Sequence, residues 1–387
     1  MQEGLDYGSL FELMGLPFPE LRDPSWTPLV PPAFQDEGIF AAIQAGDVLV
    51  HHPYESFHAS IEAFIHTAAD DPQTISIKMT AYRIGDDTPF VKSLVRAAEQ
   101  GKQVACVMEI KARFDEERNL HWAAELERVG AHVTFGIKGL KTHAKTALVV
   151  RKETGGLRCY AHVGTGNYHV KTARLYTDLG LLTSNPLITR DVVNLFHYLT
   201  GHASAPECTT ILVAPTTMRP RYLELIKREI EHKLAGRPAR IVAKMNQLED
   251  PDWSKRSAKP LAPAYRLTLS SEASAACAQA FPVRPRTSVF DPSSAASSST
   301  LESLILPMVK KITLKVTFSS DLAKEPKRRL WEFLDICLSD KRQAWVLDTN
   351  GTYSQLRPDG EGSSTEAEAL GTHRGMMDLA SSYCGDC

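Results

Sequence analysis

The amino-acid sequence predicts an α/β fold: a mostly parallel sheet flanked by helices, followed by an incomplete second α/β domain. Two observations carry this. Between residues 36 and 205, short β-rich runs alternate with stretches whose apolar residues recur at helical spacing. Capping and breaking residues sit where each helix has to start or stop.

Asp47, Val48, Leu49 and Val50 form a short buried strand. Phe57, Ile61, Phe64, Ile65 and Ala68 then repeat at helical spacing, with Ser56 placed as N-cap. Residues 75–82 alternate and are β-rich. Thr88 as N-cap and Pro89 at the first helical position open a helix with Phe90, Val91, Leu94, Val95 and Ala98 on one face, ended by Gly101. Residues 104–108 are the next buried strand. A helix through Leu120, Ala123, Ala124 and Leu126 stops at Gly130, and 132–135, 147–150 and 158–163 follow as three strands in quick succession.

Around this domain (36–205) the organisation is less regular. Residues 1–35 carry Pro17, Pro19, Pro24, Pro28, Pro31 and Pro32, a spacing that favours extended chain, and read as an entry linker. The chain opens without a start-like element, as a piece cut from something longer would. Strand 211–214, a helix bearing Tyr222, Leu223, Ile226, Ile230 and Leu234, and strand 241–244 begin a second domain over 206–252. Residues 253–320 turn rich in Ser, Ala and Pro and lose periodicity, which reads as disorder. Residues 321–372 look globular again, with a helix opening at 327–334 and a strand at 344–347. A tail over 373–387 ends in Cys384 and Cys387, a lone CxxC read as frayed end rather than zinc or redox chemistry.

Composition bounds the function. The chain has 387 residues, 43% hydrophobic and 23% charged, with 23 Gly and 23 Pro, which excludes a wholly disordered chain, a collagen and a coiled coil. Lys plus Arg (44) against Asp plus Glu (46) gives a net charge of −2, so no global basic excess points to nucleic acid. Anion binding has to come from a local cluster. No window is apolar enough to span a bilayer, the opening residues do not form a secretory signal, and the seven scattered Cys read as reduced thiols of a cytoplasmic protein.

The densest chemistry lies at residues 139–145, Gly-Leu-Lys-Thr-His-Ala-Lys, and at 161–167, Ala-His-Val-Gly-Thr-Gly-Asn. Side chains alternate along a strand, so His143 and Lys145 share a face. A neutral imidazole can attack phosphorus without a separate base, and Lys145 adds positive charge for the phosphoryl oxygens. The turn at 164–167 would let backbone N–H groups and the Asn167 amide approach those oxygens. A lone His-x-Lys is more often a surface pair; beside this turn the chemical reading prevails. Arg83 and Arg113 each follow a strand, on the rim where open α/β sheets place ligands, and guanidinium grips phosphate bidentately. For Arg113, a salt bridge to Asp115 or Glu116 is the competing reading. Lys171 and Arg174 add cations, and Tyr176 either stacks on a base, hydrogen-bonds a phosphate, or is a half-buried structural tyrosine. His51, His52 and His121 lack ligand-like spacing and read as structural.

At these residues the sequence resembles bacterial polyphosphate kinases. The segments 47–54, 81–83, 111–117, 141–145 and 162–178 carry the resemblance, which spans roughly 10–252 and again about 321–372. It implies an ATP:polyphosphate phosphotransferase built from phospholipase-D-like domains, in which a histidine takes the terminal phosphoryl group of ATP and hands it to a growing polyphosphate chain. His143 occupies that position. Arg83 and Arg113 fall on positions assigned to the magnesium site; since guanidinium cannot ligate Mg²⁺, they are expected to hold phosphate oxygens that do. Tyr176 falls on a nucleotide-binding position, with His162, Asn167 and Arg174 expected beside it on ATP. The resemblance also implies a homo-oligomer in the intact enzyme and peripheral membrane association at most.

Two departures matter. Where phospholipase-D-like motifs often place an aspartate, this chain has Val150, which argues against a plain phosphodiesterase. The family's amino-terminal and head domains, and the second-domain arginine and histidine, are absent. Codons for the family-like string Met-Val-Lys-Ala-Leu-Cys-Lys-Ala-Ser, read one nucleotide later, can give residues 253–260, so 253–320 reads as a frameshifted stretch. The alternatives are a phospholipase-D-type phosphodiesterase, which normally needs two H-x-K motifs, and a non-catalytic polyphosphate-binding remnant.

Overall fold

Seven strands, in the order β1-β8-β7-β6-β2-β3-β4, form the sheet on which everything else is built. They are β1 (Val48–His52), β2 (Thr74–Ala81), β3 (Gln103–Met108), β4 (His132–Thr134), β6 (Lys145–Glu153), β7 (Gly156–Gly164) and β8 (Asp178–Thr183), with the two-residue β5 (Lys141–Thr142) standing just outside. The computed structural model describes residues 12–13, 15–21, 25–85, 88–110, 116–239, 241–245, 265–269, 304–305, 313–318, 323–342, 344–347, 353–357 and 370–384.

The sheet is mixed. β2, β3 and β4 pair in parallel, as strand–helix alternation predicts, through helices α3 (Pro89–Glu99) and α4 (Glu116–Arg128). β1–β8, β8–β7, β7–β6 and β6–β2 are antiparallel. The reason is chain length. Only Thr154 and Gly155 separate β6 from β7, and a two-residue link can join only antiparallel strands.

Both faces of the sheet are covered, which is why β1 is buried at all five positions. One face packs Ile77, Met79, Ala147, Val149, Tyr160 and Leu182 against α1 (Ile39–Ala45), α2 (Ala63–Asp70) and α3. The other packs Leu148, Ala161, Val163 and Leu181 against Ile188, Val192 and Leu195 of α5 (Pro186–Leu199). Pro89 stands at the first position of α3 with Thr88 before it, but the Thr88 hydroxyl makes no capping hydrogen bond. Ser56 does cap, its Oγ accepting from Ala59 N–H at 3.1 Å.

The antiparallel pairings bring one rim of the sheet together. It holds the carboxyl ends of β1, β2, β3 and β7 and the amino ends of β6 and β8. A second, smaller sheet abuts it. There β13 (Thr313–Phe318) runs parallel to β5 and antiparallel to β9 (Ile211–Ala214), upstream of α6 (Met218–Leu234). β10 (Ile241–Met245) pairs with β11 (Tyr265–Leu269) and β12 (Leu304–Ile305).

Three of these strands lie inside 253–320 and correct the expectation of disorder for those segments. The 265–269 and 313–318 runs, Tyr-Arg-Leu-Thr-Leu and Thr-Leu-Lys-Val-Thr-Phe, alternate with strand periodicity and find edges to pair with. The tail reading is corrected as well. Past α7 (Lys324–Ser339) and the hairpin β14 (Trp345–Leu347) and β15 (Tyr353–Gln355), residues Thr372–Cys384 form helix α8, which carries Cys384. α8 buries Met376 and Ala380 against Phe333, Leu334 and Cys337 of α7, and a Cβ at Gly375 would stand 3.0 Å from Ile336. Cys387 lies outside the described residues.

Candidate active site

His143 sits in the two-residue gap between β5 and β6, at the rim. Two contacts fix that gap. The Glu109 carboxylate, at the end of β3, accepts from Thr142 N–H. Thr80 of β2 donates its hydroxyl to Ala144 O at 2.8 Å and accepts from Thr146 N–H at 3.0 Å. The backbone on both sides of His143 is thereby tied to neighbouring strands.

The expected shared face is present. Lys145 Nζ lies 2.9 Å from His143 Nδ1 and donates to His143 O at 2.8 Å. Lys145 is buried at 4% exposure, and a lysine that deep needs partners for its charge. The rest of the cluster surrounds Tyr82. The Tyr82 and His143 ring centroids are 4.9 Å apart, edge-on, while Lys141 Nζ, Lys145 Nζ and Arg83 Cζ lie 4.9, 5.3 and 5.6 Å from the Tyr82 centroid. The structure therefore brings His143, Lys145, Lys141 and Arg83 together. Arg113 lies outside the described residues.

Beneath them, Asn119 of α4 donates through Nδ2 to Tyr82 O at 2.9 Å and to Glu109 O at 2.8 Å, stapling the ends of β2 and β3. Trp122, one turn on, donates to Gly85 O at 3.2 Å. Gly85 has a φ of +78° and lies against the His169 ring, so a side chain there would be strained and crowded.

The remaining expected residues separate. His162 faces the interior. It is 3% exposed, its Nδ1 lies 2.7 Å from the Tyr168 hydroxyl, and burial pushes its pKa down to about 3. Its ring fills a notch between two glycines: a Cβ at Gly180 would stand 2.7 Å from Nε2 and one at Gly164 2.9 Å from it. The turn at 164–167 is tied down within the protein at Thr165 and packed against Asp178 at Gly166. Thr165 N–H donates to Leu179 O, the Thr165 hydroxyl donates to Asp178 Oδ1 at 2.7 Å, and a Cβ at Gly166 would meet the Asp178 carboxylate at 2.8 Å. These glycines make room for His162 and Asp178. Asn167 is half-buried, with its Oδ1 buried and unpaired. Arg174 ends a short 3₁₀ turn and is exposed, and Tyr176 beside it is 53% exposed. Both are available to a ligand.

The second domain reaches the same rim. Arg329 of α7 pairs with the buried Glu55 carboxylate at 2.9 Å and donates to Leu49 O, while Glu55 also accepts from His51 N–H at 2.7 Å. His51 is buried against Phe333, and the Tyr54 hydroxyl lies 2.6 Å from His373 Nδ1 of α8. Burial lowers the pKa of both His51 and His52. Structural roles for these two histidines thus agree with their surroundings.

Comparison with known proteins can be set against this geometry. The profile for polyphosphate kinase C-terminal domain 1 matches residues 38–205, and that for C-terminal domain 2 matches 211–256. The chain belongs to the polyphosphate kinase family. The polyphosphate kinase of Thermosynechococcus vestitus is 41% identical over 95% of this chain, and that of Synechocystis 40% identical over 95%. In both cases the alignment takes in 55% of the relative, so the chain spans about half the length of the polyphosphate kinases it matches. The crystal structure of polyphosphate kinase from Porphyromonas gingivalis superposes with a TM-score of 0.75 at 24% identity, covering 97% of this chain and 60% of that one, and so shares the fold.

Sequence reasoning missed Tyr82, Glu109, Asn119, Asp178 and Arg329 as parts of this rim. Tyr82 directly precedes Arg83 at a strand end, and Asn119 is a polar residue on the buried stripe of an amphipathic helix. Those were the available signals.

Proposed function

We propose that this chain carries the phosphohistidine-forming portion of a polyphosphate kinase, with ATP, ADP and inorganic polyphosphate as substrates. The observation that supports the reading is the contact of Lys145 Nζ with His143 Nδ1 in a cluster that also holds Lys141 and Arg83. An imidazole nitrogen of His143 attacks the γ-phosphorus of ATP. The N–P bond forms as the bond to the β,γ-bridging oxygen breaks, and ADP leaves with that electron pair. A terminal oxygen of polyphosphate then attacks the phosphohistidine, forming a P–O bond as the N–P bond breaks and regenerating the ring. Little more than positioning and charge is required of the protein.

The pairing with Lys145 also governs the nucleophile. An ammonium can only donate, so while it occupies Nδ1 the neutral ring keeps its proton on Nε2 and has no lone pair there. Triphosphate oxygens compete for that ammonium. When Lys145 turns to them, Nδ1 is free to take the proton and Nε2 becomes the attacking atom. Tyr176, Arg174 and Asn167 are assigned to the nucleotide, and Arg83 and Arg113 to phosphate oxygens.

The donor set does not make a protein-held Mg²⁺ site. Among the described residues no group of three or more His, Cys, Asp or Glu side chains is placed to hold a metal ion, and guanidinium offers only donors. No helix among the described residues is long and apolar enough to cross a membrane. The region 253–320 is assigned to a shifted reading frame, tested by translating the DNA across codons 250–325 in all frames.

The test of function is incubation of the full chain and its His143→Ala variant with [γ-³²P]ATP, alongside a polyphosphate binding assay. Acid-labile label on the wild-type chain alone is expected. Equal label on His143→Ala moves the nucleophile elsewhere, and an unlabelled wild-type chain that still binds polyphosphate is a binding remnant.

A further inference from the structure

Tyr82 is 9% exposed at the carboxyl end of β2, and its backbone carbonyl is held by Asn119 at 2.9 Å. Three cationic groups approach its ring: Lys141 Nζ at 4.9 Å from the centroid, Lys145 Nζ at 5.3 Å and Arg83 Cζ at 5.6 Å. The His143 ring stands beside it at 4.9 Å and an interplanar angle of 71°. Energetically significant cation–π pairs occur at roughly one per 70–80 residues, so three on one ring is a concentration that calls for a cause. Like charges converging on one point repel. An aromatic face offers them a common site of negative potential and excludes the water that would otherwise separate them.

We propose that Tyr82 is a positioning residue: its ring gathers Lys141, Lys145 and Arg83 into one anion-facing cluster and sets the plane of the His143 imidazole. The inference deepens the phosphoryl-transfer reading, on which its consequence rests. Tyr82 itself touches no substrate. It acts by keeping three cations and the nucleophile in register, so that the phosphoryl group meets all of them at once.

The experiment uses the full chain and inorganic tripolyphosphate as probe. Phenylalanine, 4-fluorophenylalanine and 3,4,5-trifluorophenylalanine are placed in turn at position 82, and affinity is measured by calorimetry at about 0.1 M salt. Fluorination drains the ring face while leaving shape nearly constant, so a purely structural role would leave affinity flat across the series. Affinity is expected to fall stepwise, by about two- to fivefold from phenylalanine to the trifluoro ring. A flat series overturns the gathering role. In parallel, the His143 Cε1–H resonance is followed in Tyr82→Leu, or in Tyr82→Met should the leucine variant not fold. The resonance is expected to move toward the free-imidazole position as the neighbouring ring current disappears, and an unmoved signal overturns the orienting role. A wild-type chain that binds no tripolyphosphate sinks the anion-site reading instead, and the His143 resonance still decides the role of Tyr82.

Discussion

Replacing Asn119 by alanine removes both hydrogen bonds that close the rim, from Nδ2 to Tyr82 O at 2.9 Å and to Glu109 O at 2.8 Å. Asn119 is fully buried, so water cannot take its place without opening the α4–β2–β3 corner. A net hydrogen bond contributes about 0.5–1.5 kcal/mol, and a buried carbonyl left unsatisfied costs about 1–3 kcal/mol. The expected loss is therefore about 2–6 kcal/mol for the pair, read from urea unfolding followed by circular dichroism. Asn119→Asp discriminates further. It is nearly isosteric, but at neutral pH it turns a carboxylate oxygen toward two carbonyl oxygens, so it should be at least as damaging as alanine and should recover partly in acid, when the carboxyl group can donate again. Hydrogen exchange adds a local readout: the Thr142 amide, bonded to Glu109, should exchange faster in both variants. A loss below about 0.5 kcal/mol, or an Asn119→Asp chain as stable as wild type, would falsify the staple.

Two further perturbations follow from the geometry around His162. Gly180→Ala puts a methyl group 2.7 Å from His162 Nε2 and 3.2 Å from both Ile61 Cδ1 and Val50 Cγ2, so it should cost about 1–3 kcal/mol by overpacking, measured as a lower urea midpoint; an unchanged midpoint would show that the notch is not filled. The folded-state pKa of His162 is pushed down to about 3 by burial, and those of His51 and His52 are lowered for the same reason. In such a case the unfolded chain binds more protons than the folded one. Stability is thus full above the ordinary histidine pKa of about 6.5 and is lost as pH falls below it, by up to about 1.4 kcal/mol per pH unit for each such ring. Urea midpoints that stay level from pH 7.5 to 5 would contradict this.

How much of this was legible beforehand depended on whether the signal was local. Periodicities of two and 3.6 residues placed most strands and helices between 47 and 163, because each element's buried face is written along its own length, whereas the helix at Ile39–Ala45, the strand at Asp178–Thr183 and the helix at Pro186–Leu199 went unread. The 139–145 run was legible for a similar reason: His143 and Lys145 are two residues apart on one strand-like segment, and alternation alone brings them to one face. The interior placement of His162 was not legible, because a histidine at a strand end looks the same in sequence whether it faces the rim or the core. What seats it there is a pair of missing side chains, at Gly164 and at Gly180 on the neighbouring strand.

The sequence by itself determined most of the strands and helices between 47 and 163, and that a histidine, lysines and arginines are present with chemistry suited to phosphate. Those properties follow from backbone alternation and side-chain type, which need no knowledge of neighbours. Only the tertiary structure decided that β6, β7 and β8 run antiparallel, that Tyr82 lies at the centre of the cations, and that Glu109 and Asn119 hold the His143 segment in place. Each of those contacts joins residues from different elements of the chain. Strand order sets them, and strand order is fixed by which faces can be buried together.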